Sequence, residues 1–184
     1  KNGFVSNLKT LIKNVNVDAN NSEIYKDEFE QSIATVFQYN SQYPMFKESS
    51  EYNNNLTPKF SLMYSPNKTK NLYNDDKRID NSNIFSLNRI ANNETVEGGA
   101  SLTYGLNFKK VNKKNNIDVL NLDISSLFRI KENLDLPKTS TLGKKSSDVF
   151  GNIQMNLNKN IDFKYNFALD NNFDKTNYDS FSTT

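Results

Sequence analysis

Few side chains in this sequence could do chemistry, and their spacing narrows the choice further. There is no histidine and no cysteine, which removes imidazole acid–base catalysis, thiolate nucleophiles, zinc sites of the usual kind and disulfides together. The most suggestive carboxylates are the adjacent Asp75 and Asp76. As a pair they could serve acid–base work or hold a divalent cation. In a polar loop such acids are commonly solvated, or they join a cation. Arg89, whose guanidinium makes paired hydrogen bonds to carboxylates, is the residue expected to hold this loop over a pore. The expectation is a structural network and not catalysis.

Three further clusters imitate known sites and fail on their required positions. Residues 170–174 (Asp-Asn-Asn-Phe-Asp) begin like a calcium loop, but Lys175 stands where glycine is needed and Phe181 where the bidentate glutamate belongs. A hairpin turn is expected there. Leu142-Gly143-Lys144-Lys145-Ser146 brushes against a phosphate loop, yet the earlier glycine is Lys138 and the hydroxyl position is Lys145. Lys109, Lys110, Lys113 and Lys114 lack the same-face aromatic platform that single-stranded nucleic acid requires, and read as a solvated turn. No triad, metal cluster or phosphate cradle survives. The expectation is therefore no enzyme, no cofactor, no metal and no nucleic-acid partner.

The elements that would position these residues are strands. Hydrophobic residues make up 35% of 184 positions and aromatics 12%, with a mean hydropathy of −0.75. A closed soluble core usually draws on about 45–50% apolar residues, while disordered chains lack aromatics. A sheet that is greasy on one face only satisfies both facts. Net charge is +2, too small for a strong field towards nucleic acid or acidic lipid.

Period-2 alternation recurs along the chain. Leu56, Pro58, Phe60, Leu62 and Tyr64 oppose Thr57, Lys59, Ser61 and Met63. Ala100, Leu102, Tyr104, Leu106 and Phe108 oppose Ser101, Thr103, Gly105 and Asn107; residues 161–169 repeat the pattern. Weaker alternation marks 3–15, 29–39, 118–130, 148–157 and 173–183. The reading is an all-β antiparallel meander of about eight long strands. An 11-residue strand spans roughly 36 Å, and tilted by about 45° it rises roughly 25 Å, the height of an outer-membrane apolar band. Short turns (109–116 and Asn-Lys-Asn at 158–160) exchange with long connections (65–98, 131–147), as in outer-membrane barrels. Pro58, inside a regular strand, predicts a local break in pairing or a bulge.

No apolar run approaches the roughly 20 residues of a spanning helix. Residues 1–30 carry no signal-peptide pattern, and strand patterning starts almost at Lys1. This predicts that residues 1–184 are one open, curved part of a larger transmembrane β-barrel domain, with its N- and C-terminal parts outside this sequence.

Several segments in order resemble one family. Tyr43-Pro44-Met45-Phe46 is followed by LTPKFSLMYSPN at 56–67, the acids Asp75 and Asp76, then NIFSLNRIANNETVEGGASLTYGLNF at 83–108. Downstream come LGKKSSDVFGNIQMN at 142–156 and IDFKYNFALD at 161–170. This resembles the LptD (organic solvent tolerance) family, the likeness covering residues 40–175. It is carried by Pro44, Pro58, Asp75, Asp76, Phe85, Asn88, Arg89, Tyr104, Gly105, Ser147, Asp148, Val149 and Gly151. Ile90-Ala91-Asn92-Asn93 departs from the family's usual Ser-Gly after the Asn-Arg pair. The family's disulfide cysteines are missing, and the sequence finishes Ser182-Thr183-Thr184 where barrels of known families commonly finish on an aromatic residue.

The resemblance implies lipopolysaccharide assembly and transport at the Gram-negative outer membrane. Implied partners are lipopolysaccharide, outer-membrane lipid, an LptE-like lipoprotein plug and the periplasmic Lpt bridge components. Under this reading Thr57, Lys59, Ser61, Ser101, Thr103 and Asn107 face the barrel lumen. The competing reading is a complete small eight-stranded barrel, or a secreted β-sandwich with a binding or structural role. The two part on one point: whether the apolar face is exposed or buried.

Overall fold

A computed structural model describes residues 3–18, 20, 29–158 and 161–184. Among these residues nine strands form one antiparallel sheet: β1 (Val5–Val17), β2 (Glu30–Gln42), β3 (Met45–Glu48), β4 (Tyr52–Ser65), β5 (Gly99–Asn112), β6 (Asp118–Arg129), β7 (Val149–Asn158), β8 (Ile161–Leu169) and β9 (Thr176–Thr183). Their order is β1-β2-β4-β5-β6-β7-β8-β9, with β3 paired to β4. Among the described residues the sheet is an open meander with β1 and β9 at its two ends. All eight expected strands are present. The expected turn at 158–160 falls, at 159 and 160, outside the described residues.

The ninth strand exists because Pro44 cuts one long strand in two. Gln42 lies opposite Lys59 and Met45 opposite Leu56, so β2 and β3 keep a single register against β4 across the gap. Pro58 faces the same gap. Its carbonyl accepts from Tyr43 N at 3.0 Å, and a strand residue aims its N–H and C=O to the same side. The donor that Pro58 lacks is therefore missing only towards β2–β3. On the other side β4 runs against β5 unbroken, Pro58 opposite Leu106. The expected break is real, and no bulge accompanies it.

Cross-strand partners share a face, which sorts the side chains. One face carries Phe37, Leu62, Tyr64, Tyr104, Leu106, Ile124 and Phe128, all at least one third exposed. The other carries Ser61, Ser101, Thr103, Ser125 and Leu127, all under 5% exposed. This inverts a soluble protein: the apolar side is bare and the polar side is covered.

The cover comes from two loops. Residues 66–98, between β4 and β5, and 130–148, between β6 and β7, fold onto the polar face and bring their own apolar side chains. Leu72, Ile79, Ile84, Ile90, Leu136 and Leu142 from the loops pack with Leu127, Phe150 and Ala168 from the sheet. A second, smaller cluster joins Val96 to Val36 and Met63. Each fully buried aliphatic side chain contributes roughly 1.5–3 kcal/mol, so the loops are a packed layer and not a tether.

Connections at the opposite end are short. Asn112 and Ile117 close the β5–β6 turn, with Asn112 N donating to the Ile117 carbonyl at 2.9 Å. Lys109 and Lys110 belong to β5 and not to a turn: Lys109 pairs with Asp118 at 2.6 Å, and the Lys110 amine lies 4.1 Å from the Tyr52 ring centroid. At Asp170 the expected hairpin turn forms, its carboxylate accepting from Asp174 N at 2.7 Å and Lys175 N at 3.0 Å. Phe173 in this turn has φ 64°, a left-handed conformation that costs an L-residue roughly 1–2 kcal/mol. Its ring is two-thirds exposed, so little packing opposes a change. Phe173→Gly should raise the unfolding free energy by about 1 kcal/mol, read as a higher denaturant midpoint in detergent micelles; an unchanged or lower midpoint would contradict the strain.

Candidate functional site

A buried cluster of three charges seats the loops on the sheet. Arg89 in the β4–β5 loop is 3% exposed, Glu97 just before β5 is 4%, and Arg129 at the end of β6 is 1%. Arg89 donates from Nε and Nη2 to the two carboxylate oxygens of Glu97, at 2.8 Å each. Arg129 donates from Nη1 to one of those oxygens and from Nη2 to the Gly98 carbonyl. The sheet saturates Arg89 further: Nη1 donates to Thr103 Oγ1 at 2.8 Å and Nη2 to Ser101 Oγ at 2.7 Å. Two-pronged, charge-assisted bonds of this kind are the strong ones.

Glycine makes the close approach possible. A Cβ at Gly98 would stand 2.2 Å from the Asn67 carbonyl oxygen, and Gly99 has φ +89° with Arg129 Nη2 only 3.2 Å from its Cβ position. No larger residue fits at Gly98 without moving backbone.

Further bonds tie the loops to each other and to the β1–β2 hairpin. Leu72 N donates to the Asp135 carbonyl at 2.7 Å and Lys138 N to the Tyr73 carbonyl at 3.0 Å. The ladder between β2 and β4 ends at Phe37 opposite Tyr64, and beyond it the Asn67 side-chain amide takes over as a substitute rung. Thr35 N donates to Asn67 Oδ1 at 2.8 Å, and Asn67 Nδ2 donates to the Ile33 carbonyl at 3.0 Å. The Lys13 amine, on β1, donates to the carbonyls of Asn92 and Thr95.

Along the inner face, farther from the loops' outer ends, lies a half-buried polar belt. Lys59 pairs with Asp123 at 2.9 Å and sits 4.8 Å from the Phe85 ring centroid. Asn107 donates to Asp123 at 2.9 Å and to Asn121 at 2.8 Å. Gly105, between Lys59 and Ser125 in the register, leaves room for the Phe85 ring, whose Cζ would lie 3.2 Å from a Cβ there. This arrangement orients charge and amide groups along a surface. It contains no nucleophile poised beside a base.

The comparison with known families decides what kind of protein carries such a sheet. A family model described as LPS transport system D matches residues 11–184. The chain belongs to the LptD family. No match is found among curated proteins. LptD proteins form an outer-membrane transport and assembly family for lipopolysaccharide and not a family of enzymes. No described helix is long and apolar enough to cross a membrane, which says nothing about crossing by strands.

The LptD motif residues divide by role once placed. Arg89 ties the long loop to the sheet through Thr103 and Ser101. Its carboxylate partner is Glu97, and not Asp75 or Asp76, which corrects the expected network. Asp76 is exposed and Asp75 half-exposed, on a stretch tied to the other loop through the Thr139 hydroxyl, which donates to the Asp75 carbonyl at 3.4 Å. A guanidinium buried against the sheet cannot reach them. Asn88 takes a weak bond from Lys13 at 3.4 Å and starts a turn through its carbonyl. Ala91, two residues after Arg89, adopts φ 46°. Tyr104 is on the bare apolar face, half exposed, and Gly105 on the inner one.

Ser147 and Asp148 clasp the second loop. Ser147 Oγ accepts from Leu127 N at 2.9 Å and donates to the Asp148 carbonyl at 2.8 Å. The Asp148 carboxylate accepts from Asn177 on β9 at 3.0 Å. Of the six candidates for the lumen, Ser61, Ser101 and Thr103 are dry beneath the loops, while Thr57, Lys59 and Asn107 are half-buried on the same face. Glu97, Arg129 and Asp123 are the functional residues that sequence reasoning passed over. A signal existed: Arg129 shares the odd parity of Ser125 and Leu127, and Glu97 immediately precedes the Gly-Gly pair.

Removing one partner of a buried ion cluster costs about 3–5 kcal/mol, whereas an exposed loop substitution stays within about 0.5 kcal/mol. Glu97→Gln should therefore lower the denaturant midpoint strongly and open residues 66–98 to protease, while Asp76→Asn leaves both unchanged. Equal effects would remove the distinction drawn between them. Burial pushes the Asp148 carboxyl above its ordinary value, against the opposing bond from Asn177 and the charge of Lys144. The folded state thus holds this proton to higher pH than the unfolded chain, so stability falls as pH rises from the usual carboxylate range through the raised value. Asp148→Asn should remove that decline. Denaturant midpoints measured from pH 3.5 upwards should shift in favour of the variant as pH rises, and parallel curves would contradict the burial argument.

Proposed function

We propose that this chain is a segment of the LptD translocon barrel, part of one transmembrane β-barrel domain that delivers lipopolysaccharide to the outer membrane. The observation that carries the reading is the oblique course of the outward-facing apolar belt. On β2 its centre is Phe37, level with Tyr64. On β8 its centre is Tyr165, level through Ile153, Leu122 and Phe108 with Leu56. The belt therefore slips from position 64 to position 56 of β4 over the five steps from β2 to β8. With about 3.3 Å per residue and about 4.8 Å between strands, this corresponds to strands tilted roughly 45° from the belt's normal, near the tilt of membrane-spanning strands.

A horizontal apolar band crossing tilted strands is what a bilayer imposes on a barrel. A secreted sandwich would bury Leu62, Tyr64, Tyr104 and Phe128; all four are exposed. Under the proposal those residues meet hydrocarbon. Thr57, Lys59, Ser61, Ser101, Thr103 and Asn107 lie on the lumen side, three of them under the loops. Lipopolysaccharide, an LptE-like lipoprotein plug and the periplasmic Lpt components are the partners this role entails. The segment's own task is passive: it walls a polar interior and holds two loops over it.

Spin labels at Leu62 and Tyr104, in the protein reconstituted in lipid vesicles, should be relaxed by oxygen, and labels at Thr57 and Asn107 by a water-soluble nickel chelate. The reverse pattern would overturn the barrel reading.

A further inference from the structure

A hollow interrupts the apolar outer face. It has a volume of about 290 Å³ and lies between Leu8, Tyr39 and Leu62 on one side and Phe128 and Ile130 on the other, floored by Ala100. The register explains it. Leu8, Tyr39, Leu62, Leu102 and Phe128 follow one another across the strands from β1 to β6, and Tyr64 in the next row faces Ala100. A methyl group where its neighbours carry rings and long aliphatic chains leaves the space open.

Under the barrel reading the hollow is inclined to the bilayer. The belt's centre slips from the level of Tyr64 at β2 to about the level of Lys59 at β6, where Gly105 and Ser125 stand. The row through Leu62 therefore lies about two positions below the centre at β2 and about three above it at β6. From Leu8 to Phe128 it climbs roughly 14 Å, about half the height of an apolar band. At the β6 end the hollow reaches Ile130, whose N–H donates to the Ala100 carbonyl at 3.2 Å. Lys131, the next residue, stands about 14 Å above the centre, at the edge of the band on the side of the long loops. That side is the outer leaflet.

Amines gather at this upper end. Ser146 bridges to Phe128, and Arg129 N donates to the Lys145 carbonyl at 2.8 Å, which brings Lys144 and Lys145 alongside the end of β6. Lys131, Lys144 and Lys145 are exposed, and none has an ion-pair partner among the described residues. Of the acids in these stretches, Asp148 is bonded to Asn177 at 3.0 Å, and Glu132 leaves the amines in excess.

An apolar trough beneath a group of amines fits a molecule that has both an acyl chain and phosphate groups. A peptide or a sugar would bury polar groups against walls that offer them no partner. A partner's helix, about 10–12 Å across, is too broad for a space of this size. We propose that the hollow holds a resident phosphorylated glycolipid of the outer leaflet, one acyl chain lying along it from Ile130 towards Leu8 and the phosphates at Lys131, Lys144 and Lys145. The paired ladders of β2, β4, β5 and β6 separate this molecule from the inner face, so it is a lasting part of the wall and not cargo in passage. The inference rests on the barrel reading above and adds to it a lipid site on the outer wall.

The test places a photo-crosslinking phenylalanine analogue at Phe128, in the hollow, or at the outward Phe181 on β9, in the full-length protein in its native membrane. Irradiation should join position 128 to a phosphorylated glycolipid, identified by mass, and position 181 to mixed membrane lipid. Lys131→Gln, Lys144→Gln and Lys145→Gln combined, or Ala100→Leu filling the floor, should lower the adduct at 128 at least fivefold and leave that at 181 unchanged. An unchanged protease pattern shows each variant to be folded; should Ala100→Leu alter it, the exposed lysines decide alone. An adduct at 128 that withstands the lysine replacement marks a passing boundary lipid and overturns the site. A glycerophospholipid or a protein joined there instead overturns it too. Lipid at 181 with none at 128 overturns the site while leaving the barrel standing, and no lipid at either position overturns both.

Discussion

One carboxylate organises the polar side of this molecule. Glu97 stands between two guanidiniums in a space with almost no water, and each of the three groups would be costly to bury alone. Their mutual satisfaction couples three distant stretches of chain: the loop that carries Arg89, the entry to β5, and the exit of β6. Ser101 and Thr103 complete the shell of Arg89 from the sheet. Their hydroxyls explain why the inner face is polar even where it is dry. An apolar residue at either place would leave guanidinium N–H groups without acceptors, so the strand's polar parity is a requirement of the latch as much as of any wet lumen.

The two faces of the sheet thus answer to different surroundings. Outside, side chains such as Leu62 and Phe128 have no protein partner layer among the described residues; under the proposed barrel reading, hydrocarbon is the solvent that makes their exposure favourable. Inside, the loops supply a miniature core of their own around Ile84 and Ile90, pinned by ion pairs at one end and by the Asn67 amide at the other. A chain with modest overall hydrophobicity can hold both because neither core has to be closed by the sheet alone. The belt of Lys59, Asp123 and Asn107 is the part of the inner face that the loops cover only in part, through Phe85 and Asn81.

Strand positions were legible because a period of two is a local property. Alternation from Leu56 to Tyr64 marks a strand whatever packs on either side, and long and short connections alternate because all crossings end on one side or the other. Pro44 was read as a family position and not as the cut that creates β3, since a break in pairing depends on the strand opposite. Arg89 was singled out from its chemistry. Its partner was misassigned because Asp75 and Asp76 are a conspicuous pair, whereas Glu97 is a single acid whose importance comes from Arg129, 32 positions away.

What the sequence determined by itself was the two-faced strand: which residues alternate and how long each run is, both set by residue type and nearest-neighbour spacing. Tertiary structure alone decided where the polar face is open and where it is sealed, and which acid meets Arg89. Those outcomes depend on register between strands and on how the long loops fold back. Charges and hydrogen-bonding groups far apart in the chain acquire their energies only when folding sets their distance and removes the water between them.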